Sequence, residues 1–400
     1  MNRATATLWA VAAATVGEGS LGCLPGGAPP SQQGLHIGAL LPYTGDLAAS
    51  GASLERGIIM AVEAANRAGG VAGQNLIVDV EDTHSDLQRG RVSAQRLFDR
   101  NIAGVIGPEE PVLARDLAPL LSEHQAIMIS GGITARAEAG AEPSLWFRIF
   151  ASAKSVTAEL AQRMVRDGTL TTSVLYVDDS YGVTFASFFK IKFEALGGKV
   201  VDVLPIPANV SALAFPGGTP TALVLVAYPS TGALAVQQLA ATRYAGPWYF
   251  APTLDSEEFL LNTPPGYLDG MVGISPALTA DFAEFSNLFQ ARFQSGEPSL
   301  GANFYYDSVA VLALALAEAN QRLGRTPTAA ELAASVRSVS APAGQTVTWR
   351  ELDVGLHAVA AGQKVNYRGI SGPIDFDTDG DVAQSLVRFW RFHDGHLVRD

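Results

Sequence analysis

Leu35-His36-Ile37-Gly38-Ala39-Leu40-Leu41-Pro42 is a short apolar run closed by a proline. It predicts a buried strand. The next segment, Ser53–Ala68, places Leu54, Ile58, Val62 and Ala65 on one stripe, the spacing of an amphipathic helix. Gly69-Gly70 followed by Val71 ends that helix in the manner of a glycine C-cap with a hydrophobic residue beyond it. Leu76–Val80 then predicts a second strand. Strand, helix, strand is the unit that decides the fold, because it demands a parallel pair with a crossover.

The unit repeats outward along the chain. Helices are expected at Asp86–Arg100, Pro111–Ser122, Ser152–Arg166, Tyr181–Leu196, Gly232–Thr242, Asp281–Phe293, Tyr305–Arg322 and Ala329–Val336. Strands are expected at Ala103–Gly107, Ala126–Ser130, Ser173–Val177, Lys199–Leu204, Ala222–Ala227, Trp248–Ala251 and Gly270–Ile274. The tail adds strands at Ile374–Phe376, Ser385–Phe392 and His396–Val398. Two such series predict an α/β protein of two doubly wound parallel-sheet lobes. Ligands of open sheets bind beyond the carboxyl ends of the strands, so the two sets of ends would wall a cleft.

Composition agrees with this reading. A chain of 400 residues, 48% hydrophobic, is long enough for two or three domains with buried cores. One cysteine excludes an intramolecular disulfide and a cysteine zinc cluster. A net charge of −12 argues against nucleic acid as a partner, because phosphates demand a Lys/Arg surplus.

The first residues have the pattern of an export signal. Arg3 is followed by the uncharged apolar stretch Ala4–Val16 and then by Ser20-Leu21-Gly22-Cys23. The apolar stretch is too short to span a bilayer. The expectation is a lipoprotein-type signal peptide over 1–23, with Cys23 acylated as the new N-terminus, although Ser20 stands where a lipobox usually has Leu. Residues 24–34, rich in Pro, Gly, Ser and Gln, then form a flexible tether. Gly17-Glu18-Gly19-Ser20-Leu21-Gly22 imitates a dinucleotide-binding glycine pattern but has neither the strand before it nor the helix after it.

Enzyme signatures are missing from the sequence. Gly197-Gly198-Lys199-Val200 lacks the hydroxyl and spacing of a phosphate loop, and neither a Gly-x-Ser-x-Gly elbow nor a His-Glu-x-x-His pair occurs. Asp375-Phe376-Asp377-Thr378-Asp379-Gly380 opens like a calcium loop, but its twelfth position is Leu386, so a charged turn is expected. His393-Asp394-Gly395-His396 reads as a solvated hairpin turn rather than a metal site. No cofactor, metal or catalytic residue is expected.

Several segments, taken in order, resemble the periplasmic binding proteins of the leucine/isoleucine/valine type that serve ABC transporters. They are Ile37–Gly45, Gly51, Gly57–Asn66 and Ala68–Gly73, then Asp82 with Asp86, Gly104–Pro108, Ile129–Thr134 and Phe147-Arg148. Asp178–Gly182, Ala195–Gly198 and Asn366–Asp377 with Gly380-Asp381 complete the series, which covers residues 35–400. The resemblance implies a type 1 fold whose lobes are joined by a three-crossover hinge. One lobe is expected at 35–150 plus 275–350 and the other at 151–274 plus 351–400.

The resemblance also implies a ligand site. In the family, a Ser four residues after the Gly of the Gly-Pro loop holds the ligand carboxylate at a helix N-terminus. Here that position is Pro111, which has no hydroxyl and no N–H, and Glu109 and Glu110 stand beside it. Gly132, Ile133 and Thr134 match the family's backbone-plus-Thr loop, while Tyr181 and Tyr228 match its cleft tyrosines. The acidic residue expected to meet a ligand ammonium is replaced by Thr253, with Asp255 two residues on. Tyr43 and Ser50 lie on the first loop and are further candidates. The implied function is a non-enzymatic, exported solute-binding protein that delivers a small polar, amino-acid-like ligand to a permease in the inner membrane. The alternative is a sensor with the same fold.

Overall fold

The computed structural model describes residues 34–45, 47–100, 102, 104–132, 145–207, 209–210, 213, 222–299, 301–382 and 386–399. Cys23, Ile133 and Thr134 lie outside the described residues.

The first sheet contains β1 (Leu35–Leu41), β2 (Leu76–Asp82), β3 (Gly104–Ile106), β4 (Ile127–Ser130) and β5 (Trp146–Arg148) in the order β2-β1-β3-β4-β5. All its pairs are parallel. Its strands feed α1 (Ala48–Arg67), α2 (Leu87–Phe98), α3 (Pro111–Leu117) and α4 (Leu120–Glu123). Side chains alternate between two apolar layers: Ile37, Ala39 and Leu41 enter one, Leu40 the other. That two-sided burial is why β1 reads as a continuous apolar run rather than an alternating one. The glycines after α1 take positive φ, 96° at Gly69 and 76° at Gly70, and Gly70 N–H bonds back to Ala65 O at 3.0 Å.

The second sheet is built from β6 (Thr171–Val177), β7 (Lys199–Ile206), β8 (Leu223–Val226), β9 (Trp248–Phe250) and β10 (Val272–Pro276). Its helices are α5 (Ala153–Arg166), α6 (Ser180–Ala195), α7 (Pro229–Ala241) and α8 (Glu257–Leu261). Farther along, α9 (Asp281–Phe293), α10 (Ala302–Leu323), α11 (Ala329–Val339) and α12 (Leu352–Ala360) return to the first lobe, with a small sheet of β11 (Gln345–Thr348), β12 (Val365–Gly369) and β13 (Gly372–Pro373). The last strands, β14 (Val387–His393) and β15 (His396–Arg399), add antiparallel to β10, giving the order β15-β14-β10-β9-β8-β6-β7. The second sheet is likewise covered on both faces: Leu223 and Leu225 enter one apolar layer, Val224 and Val226 the other. This is the expected pair of doubly wound lobes.

The expected division of the chain differs in one segment. Residues from Leu352 to Val382 were assigned to the second lobe, yet Leu352, Val359, Tyr367, Ile370, Ile374 and Val382 are buried in the apolar layer under the first sheet. The reason is α10, which is buried from Ala302 to Ala317 without a break. A helix apolar all round needs cover on every side, and α12 with β12 supplies it. Residues 374–376, expected as a strand, run between β13 and the charged turn instead.

Three crossovers join the lobes, from β5 to α5, from β10 to α9 and from β13 to β14. They are stapled together. Arg148 Nε and Nη2 donate to Asp381 Oδ1 at 2.7 Å and Oδ2 at 2.5 Å, and both side chains are buried. Thr279 Oγ1 donates to Ile370 O at 2.5 Å. Asp307, fully buried in α10, accepts from Tyr367 Oη, Ile370 N, Ser371 N and Ser371 Oγ. The acidic stretch at 375–380 is a turn in which Asp377 Oδ1 accepts from Asp379 N and Asp381 N. His393–His396 closes the β14–β15 hairpin.

Candidate functional site

Two polar clusters sit past the carboxyl ends of the strands, one on each sheet. The first starts at Gly107, directly after β3. Its φ is +90°, and a Cβ there would meet Leu40 O at 2.4 Å, so only glycine lets the chain leave the sheet at this point. Glu109 and Glu110 follow, and Pro111 opens α3 at N1. The missing N–H of Pro111 and the seven-residue length of α3 remove the anion site that a helix start would otherwise offer.

Ser50 Oγ donates to Glu109 Oε2 at 3.1 Å and also lies 2.9 Å from Leu47 O. Thr83 Oγ1 donates to Glu110 Oε1. Gly132, past β4, backs the other oxygen of Glu109: a Cβ there would come within 2.8 Å of Oε1. Burial pushes Glu109 up to about 7, against the bond from Ser50 and with help from the charge of Glu110. Burial also raises Glu110, and Asp82 adds to the repulsion. Asp82 itself stays low: burial opposes its ionisation, but bonds from His84, Thr44 and Tyr43 outweigh that. Tyr43 lies against Glu55, and burial together with that carboxylate raises its phenol. Tyr43 therefore braces α1, whose first turn carries Ser50, so Ser50 stands on a helix and not on the expected loop.

Sequence reasoning missed Tyr305 here. It stands in the first turn of α10, fully buried, with its phenol oxygen unpartnered. Its ring fills the space left by Gly131, and its Oη is 3.5 Å from where a Cβ of Gly107 would be. Burial and the charges of Glu109 and Glu110 raise its pKa well above normal. Nothing local in Phe304-Tyr305-Tyr306 separates this tyrosine from an ordinary core aromatic.

The second cluster lies past β6, β8 and β9. Asp179 caps α6, accepting from Gly182 N at 2.9 Å. Its other oxygen accepts from Tyr228 Oη at 3.0 Å. Thr253 Oγ1 donates its single proton to Ala227 O at 2.6 Å, so Tyr181 Oη, 3.0 Å away, is the donor of their pair. The two tyrosine rings are 5.8 Å apart and tilted by 31°. Tyr228 is pushed up to about 12 by burial and by Asp179. Three candidates, Tyr181, Tyr228 and Thr253, thus come together with Asp179, whose N-cap position was the sequence signal available for it.

Asp255 does not join them. Its Oδ2 accepts from Ser275 Oγ at 2.7 Å and Arg388 Nη2 at 3.0 Å, and its Oδ1 accepts from Arg399 Nε at 2.8 Å. Two guanidiniums on β14 and β15 neutralise it, so it braces the sheet edge instead of facing a ligand. Among the described residues, no group of three or more His, Cys, Asp or Glu is placed to hold a metal ion. No helix among them is long and apolar enough to cross a membrane.

Known proteins share this fold. Residues 34–395 match the family model described as periplasmic binding protein. A chemotactic signal transduction system substrate-binding protein from Halobacterium salinarum is 25% identical over 364 residues, 86% of this chain and 83% of that protein. A Leu/Ile/Val-binding protein from Rhizobium johnstonii is 26% identical over 178 residues, which is 42% of this chain and 47% of that protein. In fold, the chain resembles an ABC transporter substrate-binding protein from Desulfitobacterium hafniense in complex with Leu (TM-score 0.65, 21% identity, 92% of this chain and 99% of that one). It also resembles one from Sphaerobacter thermophilus (TM-score 0.67, 18% identity, 91% and 96%).

Proposed function

The chain belongs to the periplasmic binding protein family, and on that premise we propose that it captures a small polar, amino-acid-like solute between its two lobes and hands it to the permease of an ABC transporter. The observation that carries this reading is the pair of polar clusters at the carboxyl ends of two parallel sheets, one cluster on each lobe. Closing the lobes over a solute would bring both onto one ligand. The family that the chain matches is one of binding proteins, so the reading is binding without turnover. The family is extracytoplasmic, in keeping with the export signal. Acylation of Cys23 is part of the proposal: a Cys23→Ser form should leave the membrane fraction, and its retention there would count against the anchor.

Solution scattering tests the main reading. A bound solute should shrink the radius of gyration and be recovered unchanged. Recovery of a chemically altered solute would contradict it. The likeness to the chemotactic binding protein of Halobacterium salinarum supports a second reading, in which the closed form is read by a receptor. Co-purification with a permease–ATPase complex favours transport, and co-purification with a receptor favours sensing.

A further inference from the structure

The first-lobe cluster has a charge that no cation among the described residues balances. Glu109 and Glu110 are adjacent and partly withdrawn from water. Among the described residues no Lys, Arg or His pairs with either of them. Their polar neighbours are neutral: the hydroxyls of Ser50 and Thr83, and the backbone N–H groups of Glu109 and Glu110 that bond the Glu110 carboxylate. Two further atoms there are buried and unpartnered: Glu110 Oε2 and the phenol oxygen of Tyr305. Tyr305 is 0% exposed, and its oxygen lies beside the Gly107 turn, where the charges of both carboxylates reach it. Buried acids and orphaned polar atoms are normally paired. An unpaired set at a ligand site points to a partner supplied by the ligand.

We propose that this wall receives the positively charged, N–H-bearing head of a small organic cation, an amine or a guanidine. The inference rests on the solute-binding reading and names the solute class. An ammonium brings three donors and a guanidinium five, each with positive charge, and together they match the open oxygens of Glu109, Glu110 and Tyr305. A carboxylate head would instead face two negative charges, and Pro111 denies it a backbone donor. The second wall has the same polarity. Tyr181 spends its proton on Thr253 and Tyr228 spends its proton on Asp179, so both present lone pairs. Their ring faces also suit a cation.

The test is calorimetric titration of the full chain at pH 8 with agmatine and putrescine as probes, and with leucine and calcium chloride as comparators. At least one amine should bind. Glu109→Gln and Glu110→Gln should each weaken it by about tenfold or more while their melting temperatures hold or rise. Tyr305→Phe, which keeps the ring and removes only the oxygen, should weaken it by a smaller factor. Amine binding unchanged in both Gln variants would overturn the assignment, as would tight binding of calcium alone to the pair. Leucine closing the lobes while both amines fail would overturn the cation and leave the solute-binding reading standing. No binding and no compaction with amines, amino acids, amides or nucleosides would count against both.

Discussion

The protein holds two kinds of buried or half-buried acid, and their surroundings separate them. Asp381 and Asp255 are met by guanidiniums: Arg148 at the crossovers, Arg388 and Arg399 at the sheet edge. Glu109 and Glu110 are met by neutral donors, hydroxyls and backbone N–H groups, and by each other. The paired acids lie where elements must be held together, between crossovers or between strands. The unpaired ones lie past the end of a parallel sheet, where ligands bind. An acid's partner therefore tells its job better than its position in the sequence does.

The largest effect is expected from breaking a paired acid. Arg148→Ala removes a guanidinium from the buried Asp381, and breaking a buried pair typically costs about 3–5 kcal/mol. Denaturant unfolding should show that loss, together with a looser hinge in solution scattering. An unchanged midpoint would mean that the staple contributes nothing.

Removing an unpaired acid should do the opposite. Glu109 titrates near 7 because burial penalises its ionised form. An acid raised on folding holds its proton longer in the native state, so its contribution to stability falls as pH rises from the unfolded value toward 7 and is lost above it. The groups facing it are Ser50 from α1, Gly132 after β4, Gly301 and Tyr305 at the start of α10, and the neighbouring Glu110 with Asp82 beyond; none of these is cationic. Glu109→Gln should therefore stabilise the empty protein at pH 8 by about 2 kcal/mol and do little at pH 4. Destabilisation at pH 8 would show that the carboxylate is structurally paired.

A smaller loss, about 1 kcal/mol, is expected for Asp255→Asn, because the guanidiniums it frees are half in water and the amide still accepts a hydrogen bond. Affinity for solute should not change. A tenfold drop in affinity would return Asp255 to the ligand site. The smallest effect belongs to Tyr181→Phe, which removes a hydrogen bond to Thr253 and keeps the ring. A change of about 0.5–1.5 kcal/mol in binding, with stability nearly intact, is the expected outcome of parallel titrations.

The alternation of short apolar runs with striped helices made both lobes legible, because the central sheet strands are buried on two faces and the helices other than α10 mostly on one. Three things were not legible. The segment Leu352–Val382 went to the wrong lobe because its place depends on the cover that α10 demands, not on its own pattern. Asp255 was weighed as a ligand residue because Arg388 and Arg399 reach it from β14 and β15, far along the chain. At the site, Glu109, Glu110, Tyr181, Tyr228 and Thr253 were visible through their places after strands. Tyr305 was not, since only the packing of α10 against the Gly107 and Gly131 turns brings its oxygen to the pair.

The most direct test of the unpaired acids is a carbon-13 NMR titration of the side-chain carboxyl of Glu109, identified by the signal that Glu109→Gln removes. In the empty protein its midpoint should fall near 7, and saturating agmatine should lower it by a unit or more, because a cation favours the ionised form. A midpoint in the ordinary glutamate range without ligand, or one that agmatine leaves unmoved, would contradict the account.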